Sequence, residues 1–256
     1  MIRVVMENVS VLGCGWLGKE LAISLINNEC TVKGSTTSEE KVGDLKSVGI
    51  QPFLVDISKE NELTEFLNSE VLVIAITSKS IDDFKRLISE IEKSTIKKVV
   101  FISSTSVYPS LNKEMTEEDE TVDSPLDTIE KLFIKNTNFK TTIIRFAGLF
   151  GGNRHPGNWF SNKKVPNPNG YVNMIHREDC IAIIEKIIEN NTFGEVFNAC
   201  SNHHPTRKEF YINAKKSLGK SLPEFDNTTA AYKIINSNKL IKQLDYQFKH
   251  DDLLAI

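Results

Sequence analysis

The chain has 256 residues, enough for one large domain or for a core with a smaller appendage. Hydrophobic residues make up 40% and charged residues 25%, and the formal net charge is -3, a balance that excludes the basic footprint of a nucleic-acid binder or of a protein drawn to anionic membranes. No apolar run reaches the roughly 20 residues a bilayer span needs, and residues 1–10 lack the apolar core of a signal peptide, so a cytoplasmic location is expected.

Residues 9–12 read as an apolar strand that stops at Gly13. Residues 17–27 carry apolar side chains at helical spacing. A second strand is expected over 30–33, a helix over 39–48, a third strand over 50–55 and a helix over 59–67. Residues 71–76 form a continuous apolar run, as in a strand covered on both faces. A helix over 81–94 and a fifth strand over 97–102 follow. The alternation implies βαβ units, right-handed crossovers and a parallel sheet.

The pattern breaks over 103–124, and the acidic run 113–123 reads as a mobile, solvated flap. A helix over 126–135 and a sixth strand over 141–146 resume it. A stretch rich in Gly, Pro and Asn then runs to Gly170. After it come a strand over 171–175, a helix over 179–189, a strand over 196–199 and a helix over 207–218. Cys14, Cys30, Cys180 and Cys200 are widely spaced, form no CxxC pair, and read as reduced, structural residues.

Gly13-Cys-Gly15-Trp16-Leu17-Gly18 is a GxGxxG between a strand and a helix, the context that gives the pattern meaning. Gly13 permits the tight turn, Gly15 lets a pyrophosphate approach the backbone, and Gly18 lets the helix pack on the strand. The helix N terminus offers N–H groups and a positive dipole end to phosphates. The expected fold class is therefore α/β, a doubly wound parallel (Rossmann) sheet with a smaller C-terminal substrate lobe. Residues 1–150 form the NAD(P)-binding core, and 151–256 the lobe, which returns some strands and helices to the core.

A carboxylate at the end of the second strand usually bonds the ribose 2′-hydroxyl of NAD. Here Lys33-Gly-Ser35-Thr36-Thr-Ser38 has no acid before Glu39, which leans the cofactor from NAD toward NADP, with Ser35, Thr36 and Lys33 near the 2′-phosphate. The alternative is that Ser38 caps the following helix and the hydroxyls ignore the cofactor. Asp56, beside Ile57, is placed to accept the adenine amino group or to cap a helix. Ala75 and Thr77 end the fourth strand beside the cofactor ribose.

With those residues in view, the chain resembles the extended and atypical short-chain dehydrogenase/reductases, the NAD-dependent epimerase/dehydratase-like group that includes nucleotide-sugar epimerases. The resemblance rests on the glycine turn, Asp56-Ile57, Phe101-Ile-Ser-Ser-Thr-Ser-Val-Tyr108, Arg145-Phe-Ala-Gly-Leu-Phe-Gly151, Val172-Asn-Met-Ile-His-Arg-Glu-Asp179 and Asn202-His-His-Pro-Thr-Arg207. It implies that Ser104 orients the substrate oxygen, with Thr105 as the neighbour able to replace it. It also implies a Tyr-x-x-x-Lys pair that moves the proton while the nicotinamide carries hydride. This chain departs there: aligning Glu130 with the family's Glu puts Val122 at the Tyr position and Leu126 at the Lys position. The other register pairs Asp127 with Lys131, read as an exposed helix ion pair, with a catalytic surrogate as the alternative. Tyr108 would have to swing inward to serve.

Asn153, Arg154 and Asn173 cluster around the irregular stretch as candidate substrate contacts, Arg154 by its suitability for phosphate or sugar. The resemblance makes Asp179 a helix cap and His176 a packing residue. His203 and His204 lack zinc-ligand spacing, and no metal is expected. The expected partners are a small-molecule substrate, with no nucleic acid and no membrane, in a monomer or homodimer. The expected function is an NAD(P)-dependent epimerase/dehydratase- or reductase-like activity on a small hydroxylated substrate, a nucleotide sugar among the candidates. The alternative is a non-catalytic NAD(P)-binding sensor or scaffold.

Overall fold

A computed structural model describes residues 8–60 and 62–256. Residues 1–7, most of the segment read for a signal peptide, and Asn61 lie outside the described residues. The first elements are β1 (Asn8–Leu12), α1 (Gly18–Asn27), β2 (Thr31–Thr36), α2 (Val42–Ser47), β3 (Gln51–Leu54), β4 (Val71–Ile74), α3 (Ile81–Glu92) and β5 (Lys98–Ser104). Then come β6 (Lys113–Met115), α4 (Pro125–Lys135), β7 (Lys140–Phe146), β8 (Gly148–Phe150), β9 (Met174–His176) and α5 (Arg177–Glu189). The chain ends with β10 (Val196–Ala199), α6 (Arg207–Ser217), β11 (Lys233–Ile235) and α7 (Asn238–Leu244).

Seven strands form one sheet in the order β10-β7-β5-β4-β1-β2-β3. The β1–β2, β2–β3, β1–β4 and β4–β5 pairs are parallel. Strand order reverses at β1, with β2 and β3 on one side and β4 and β5 on the other. That reversal is the switch point at which open α/β sheets bind ligands. It lies where β1 runs into Gly13. The doubly wound Rossmann expectation holds.

The chain divides into two compact units and passes between them repeatedly. The first holds residues to Ser103, Asp123–Ile144 and Ile184–Val196; the second holds Ser104–Val122, Arg145–Ile183 and Phe197–Ile256. In the first, β4 is wholly buried, and α3 buries Phe84, Leu87, Ile88 and Ile91 at helical spacing. Phe101 stacks on Phe133 at 5.0 Å, and Phe84 meets both rings edge-on, each such pair adding about 0.5–1.5 kcal/mol beyond the area it buries. Ser124 caps α4 through the Asp127 N–H at 3.2 Å, with Pro125 opening the helix. In the second unit, Phe150, Val165, Val172, Met174, Phe210 and Tyr211 share a core.

Several elements differ from expectation. β2 continues to Thr36 rather than ending at Lys33. A side chain at Gly34 would meet Ile50 and the Cys14 thiol at 2.5 and 2.6 Å, so the residue that reads as a turn is the one that fits the strand. No helix forms among the described residues of 59–67. Leu67 N–H bonds the Leu63 carbonyl, but Ser10 then takes the Phe66 carbonyl, and Lys33 takes those of Glu65 and Asn68 at 2.8 Å for the latter. The strand expected over 171–175 is instead β9, paired in parallel with β8. The flap expected over 113–123 is structured. β6 pairs with β11, Met115 is buried, and Asp119 accepts the Thr116 N–H at 2.7 Å. β6, β8, β11 and α7 are too short to show a periodicity in the sequence.

Candidate functional site

The glycine turn is built by steric demand. Gly13 has φ +98°, and a side chain there would strike Ile76 at 2.6 Å and the Ala75 carbonyl at 2.9 Å. A Cβ on Gly18 would lie 2.2 Å from the Gly13 carbonyl oxygen, so only glycine lets α1 seat against the turn. Gly15 differs: it is exposed, and nothing lies within 4 Å of where its Cβ would be. No side chain caps the α1 N terminus at Leu17. Open backbone at Gly15 beside an uncapped helix N terminus fits a pyrophosphate. Trp16 is half-buried and Leu17 buried beside it.

Around the turn, the expected contacts sort unevenly. Ser35 is 1% exposed, and its hydroxyl accepts the Gly13 N–H at 2.9 Å, while its carbonyl accepts the Cys14 N–H at 2.7 Å. It braces the turn from beneath instead of facing a 2′-phosphate. Lys33 is likewise turned away, its ammonium held by the 65–68 carbonyls because β2 carries it short of the strand's C-terminal end. The Thr36 hydroxyl accepts the Ser38 N–H at 3.1 Å. Asp56 Oδ1 accepts the Ser58 N–H and hydroxyl at 3.0 and 2.7 Å, and Lys59 stands 3.6 Å from Oδ2. The Ser58 bonds, followed by weaker help from Lys59, hold this carboxyl below its ordinary range. The Ile57 carbonyl accepts from Arg86 at 3.3 Å. The Ala75 N–H bonds the Leu12 carbonyl, and Thr77 is exposed just past β4.

Ser104 ends β5. It is half-buried, and its hydroxyl accepts the Ser106 N–H at 3.1 Å. Thr105 is buried. Tyr108 is 2% exposed and cannot swing out without breaking a polar network. Its hydroxyl donates to Asn198 at 2.9 Å and accepts from Arg145 at 2.6 Å. Burial, the largest influence, raises its pKa despite Arg145, so the tyrosine is a poor proton donor or base near neutral pH. The Asn198 N–H also bonds Glu117, which ties the supposed flap to β10.

Val122 donates its N–H to Val107, and Leu126 is buried on α4. The Asp127–Lys131 pair is only half as expected: Lys131 is exposed, but Asp127 is 2% exposed and lies 2.6 Å from the ammonium. Asn173 does not present its amide to a ligand. It donates to the Lys233 carbonyl and accepts the Ile235 N–H, both at 2.9 Å, serving as an adapter for β11. Asn153 and Arg154 are exposed in a tight turn opened by Gly151 at φ +103°.

Three features escaped the sequence. Ser103 donates to Glu130, both buried; Glu130 shares a helical face with Leu126 and Phe133, a spacing that signals a buried acid. Asp179 is wholly buried and accepts from the Tyr246 hydroxyl and the Lys249 and His250 N–H groups. His176, Glu178 and His250 bring one ligand atom each within 4.8 Å of one another. The two imidazoles lie with ring centres 3.8 Å apart and planes tilted by 39°, and His250 Nε2 shares a 3.0 Å hydrogen bond with Glu178, which a metal would have to displace.

A parallel sheet with its order reversed at a glycine turn, and an open anion cradle at that turn, define a Rossmann dinucleotide-binding protein. A family model described as NAD(P)H-binding matches residues 13–191, and the chain belongs to that family. It is 30% identical to Protein YeeZ of Escherichia coli (strain K12), over 98% of this chain and 99% of that protein. Its fold matches UDP-glucuronic acid 4-epimerase from Bacillus cereus in complex with NAD, with TM-score 0.78 and 18% identity over 97% and 96% of the two chains. It also matches a short-chain dehydrogenase/reductase superfamily protein from Agrobacterium tumefaciens with bound NAD, with TM-score 0.79 and 14% identity over 96% and 94%. No helix among the described residues is long and apolar enough to cross a membrane.

Proposed function

We propose that this protein is an NAD(P)-dependent enzyme of the epimerase/dehydratase or reductase kind, acting on a small hydroxylated substrate of the nucleotide-sugar class. The observation that carries the reading is the open backbone at Gly15 beside the uncapped α1 N terminus. The turn would hold the pyrophosphate through N–H groups, with Gly13, Trp16, Leu17 and Gly18 shaping it. Asp56 and Ile57 would line the adenine side, and Ala75 and Thr77 the ribose. NADP is the proposed preference, supported by the run Thr36-Thr37-Ser38, which ends β2 without a carboxylate. The bound nicotinamide supplies hydride transfer. Ser104, at the end of β5, orients a substrate oxygen by hydrogen bonding, with Thr105 behind it. Arg154 and Asn153, exposed in the Gly151 turn, offer contacts to a phosphate or sugar.

A second reading, a non-catalytic NAD(P) sensor or scaffold, draws on Val122 and Leu126 standing where the resemblance expects Tyr and Lys, and on the locked Tyr108.

Calorimetric titration with NADP(H) and NAD(H), paired with Gly15→Asp and Gly18→Ala, tests both. Gly15→Asp should abolish nucleotide binding without lowering the melting temperature, because its Cβ meets nothing. Gly18→Ala should lower stability, because its Cβ meets the Gly13 carbonyl. Absence of nucleotide binding by the unaltered protein would remove the proposal. Nucleotide binding without turnover of any nucleotide sugar, and with an unchanged reduced cofactor, would select the sensor reading. Tenfold tighter NAD binding would remove the NADP preference.

A further inference from the structure

The second unit contains a cavity of about 720 Å³, within the roughly 300–1,000 Å³ range of small-molecule sites. Its wall is formed by two short stretches, 160–164 and 219–224, together with Lys215 of α6. Four lysines line it, Lys163, Lys164, Lys215 and Lys220, against one acid, Glu224. The chain as a whole carries a net charge of -3, so this concentration of positive charge runs against its average.

The lysines are not equivalent. Lys164 lies 3.4 Å from Glu224, with both side chains exposed. Lys220 donates to Asn158. Lys163 is exposed at the wall. Lys215 is 5% exposed, yet no hydrogen bond or ion pair reaches its ammonium among the described residues. Its aliphatic stem is buried, while the ammonium at its tip is not sealed from solvent, an arrangement usual for a lysine that lays its stem along apolar surface. The last turn of α6 favours a cation through the helix dipole, but a dipole supplies no hydrogen-bond acceptor for three N–H donors. Lys215 lines the cavity, so an acceptor held there can reach its ammonium.

We propose that this cavity is an anion site for a small phosphate-bearing molecule, anchored by Lys215 and completed by Lys163, Lys164 and Lys220. A concave wall rather than a flat stripe selects a compact ligand over a polymer. A diphosphate matches the surplus of positive charge, and Phe160 adds an apolar wall for whatever the phosphates carry. The site uses no residue of the glycine turn and stands whether or not the turn binds NAD(P). Phosphates reach it either as a free ligand or as part of a nucleotide.

The test is calorimetric titration of the full chain with inorganic pyrophosphate and with uridine diphosphate, with sulfate as comparison, at low and raised ionic strength. The unaltered protein should bind pyrophosphate at least tenfold tighter than sulfate, and more weakly as salt rises. Lys215→Met, which keeps the packing and removes the charge, should weaken binding at least tenfold and melt at the same or a higher temperature without ligand. Lys163→Met, at the exposed wall, should weaken binding severalfold without touching the core. Gly15→Asp should leave this binding intact even where it abolishes nicotinamide nucleotide binding.

Equal affinities for the two probes, both lost in Lys215→Met, assign a free phosphate ligand; tenfold tighter uridine diphosphate, lost in the same variant, assigns a nucleotide. Pyrophosphate held no better than sulfate, binding unchanged in both lysine variants, or binding lost in Gly15→Asp would overturn the proposal. A lower melting temperature for Lys215→Met with undiminished binding would make the lysine purely structural and would overturn it as well.

Discussion

The Ser35 hydroxyl accepts the Gly13 N–H at 2.9 Å. The same residue's carbonyl accepts the Cys14 N–H at 2.7 Å, so one buried serine on β2 holds two successive amides of the glycine turn. The turn's shape is therefore fixed by the neighbouring strand as well as by its glycines. Ser35→Ala leaves the Gly13 amide without this acceptor, a loss of about 1–3 kcal/mol for a buried donor. Denaturant unfolding should show that drop, and NAD and NADP affinities should fall by the same factor. A loss confined to NADP would mean that the hydroxyl reaches a 2′-phosphate instead.

Tyr108 carries a second such relationship. Its hydroxyl bridges Arg145 and Asn198, and the Arg145 guanidinium also lies 4.9 Å over its ring. Tyr108→Phe keeps the ring contact and removes the bridge. The expected cost is about 1–3 kcal/mol in unfolding free energy, because two buried polar groups lose a partner. Nucleotide affinity and any turnover should stay within twofold of the unaltered protein. Turnover lost at undiminished stability would restore Tyr108 as a proton carrier.

Most of the sheet was legible because its strands are apolar runs punctuated by glycine and because the glycine turn sits in its proper context. What escaped follows from tertiary demands. Gly34 and Ser35 have turn chemistry but lie in a strand, since Ile50 and Cys14 leave room for nothing larger at Gly34 and the turn needs Ser35 as an acceptor. Asn173 looked like a ligand contact because an exposed amide and an amide bound to a distant strand are the same residue in a sequence. Asp119 and Glu117 looked solvated because their partners, Thr116 and the Asn198 N–H, are a turn and a strand that charge patterning does not reveal. The lysines of the cavity come from two segments more than fifty residues apart and show no motif.

The histidines set the last expectation. Burial lowers the pKa of His155, His176 and His204; at His176 the neighbouring His250 adds to the effect, while Glu178 and Asp179 oppose it more weakly. Each is therefore easier to protonate in the unfolded chain than in the fold. Across the window just below the ordinary value of 6.5, the unfolded state binds more protons, so stability is complete above that value and falls as pH drops through it. The carboxylates held low, such as Asp119 at about 2 and Glu178, add losses of the same sign only at more acid pH. Urea midpoints at pH 7.5, 6.5 and 5.5 should fall in that order, and more steeply for the unaltered protein than for His176→Gln, which cannot be protonated. Parallel profiles for the two proteins would show that the close His176–His250 pair does not govern the acid sensitivity of the second unit.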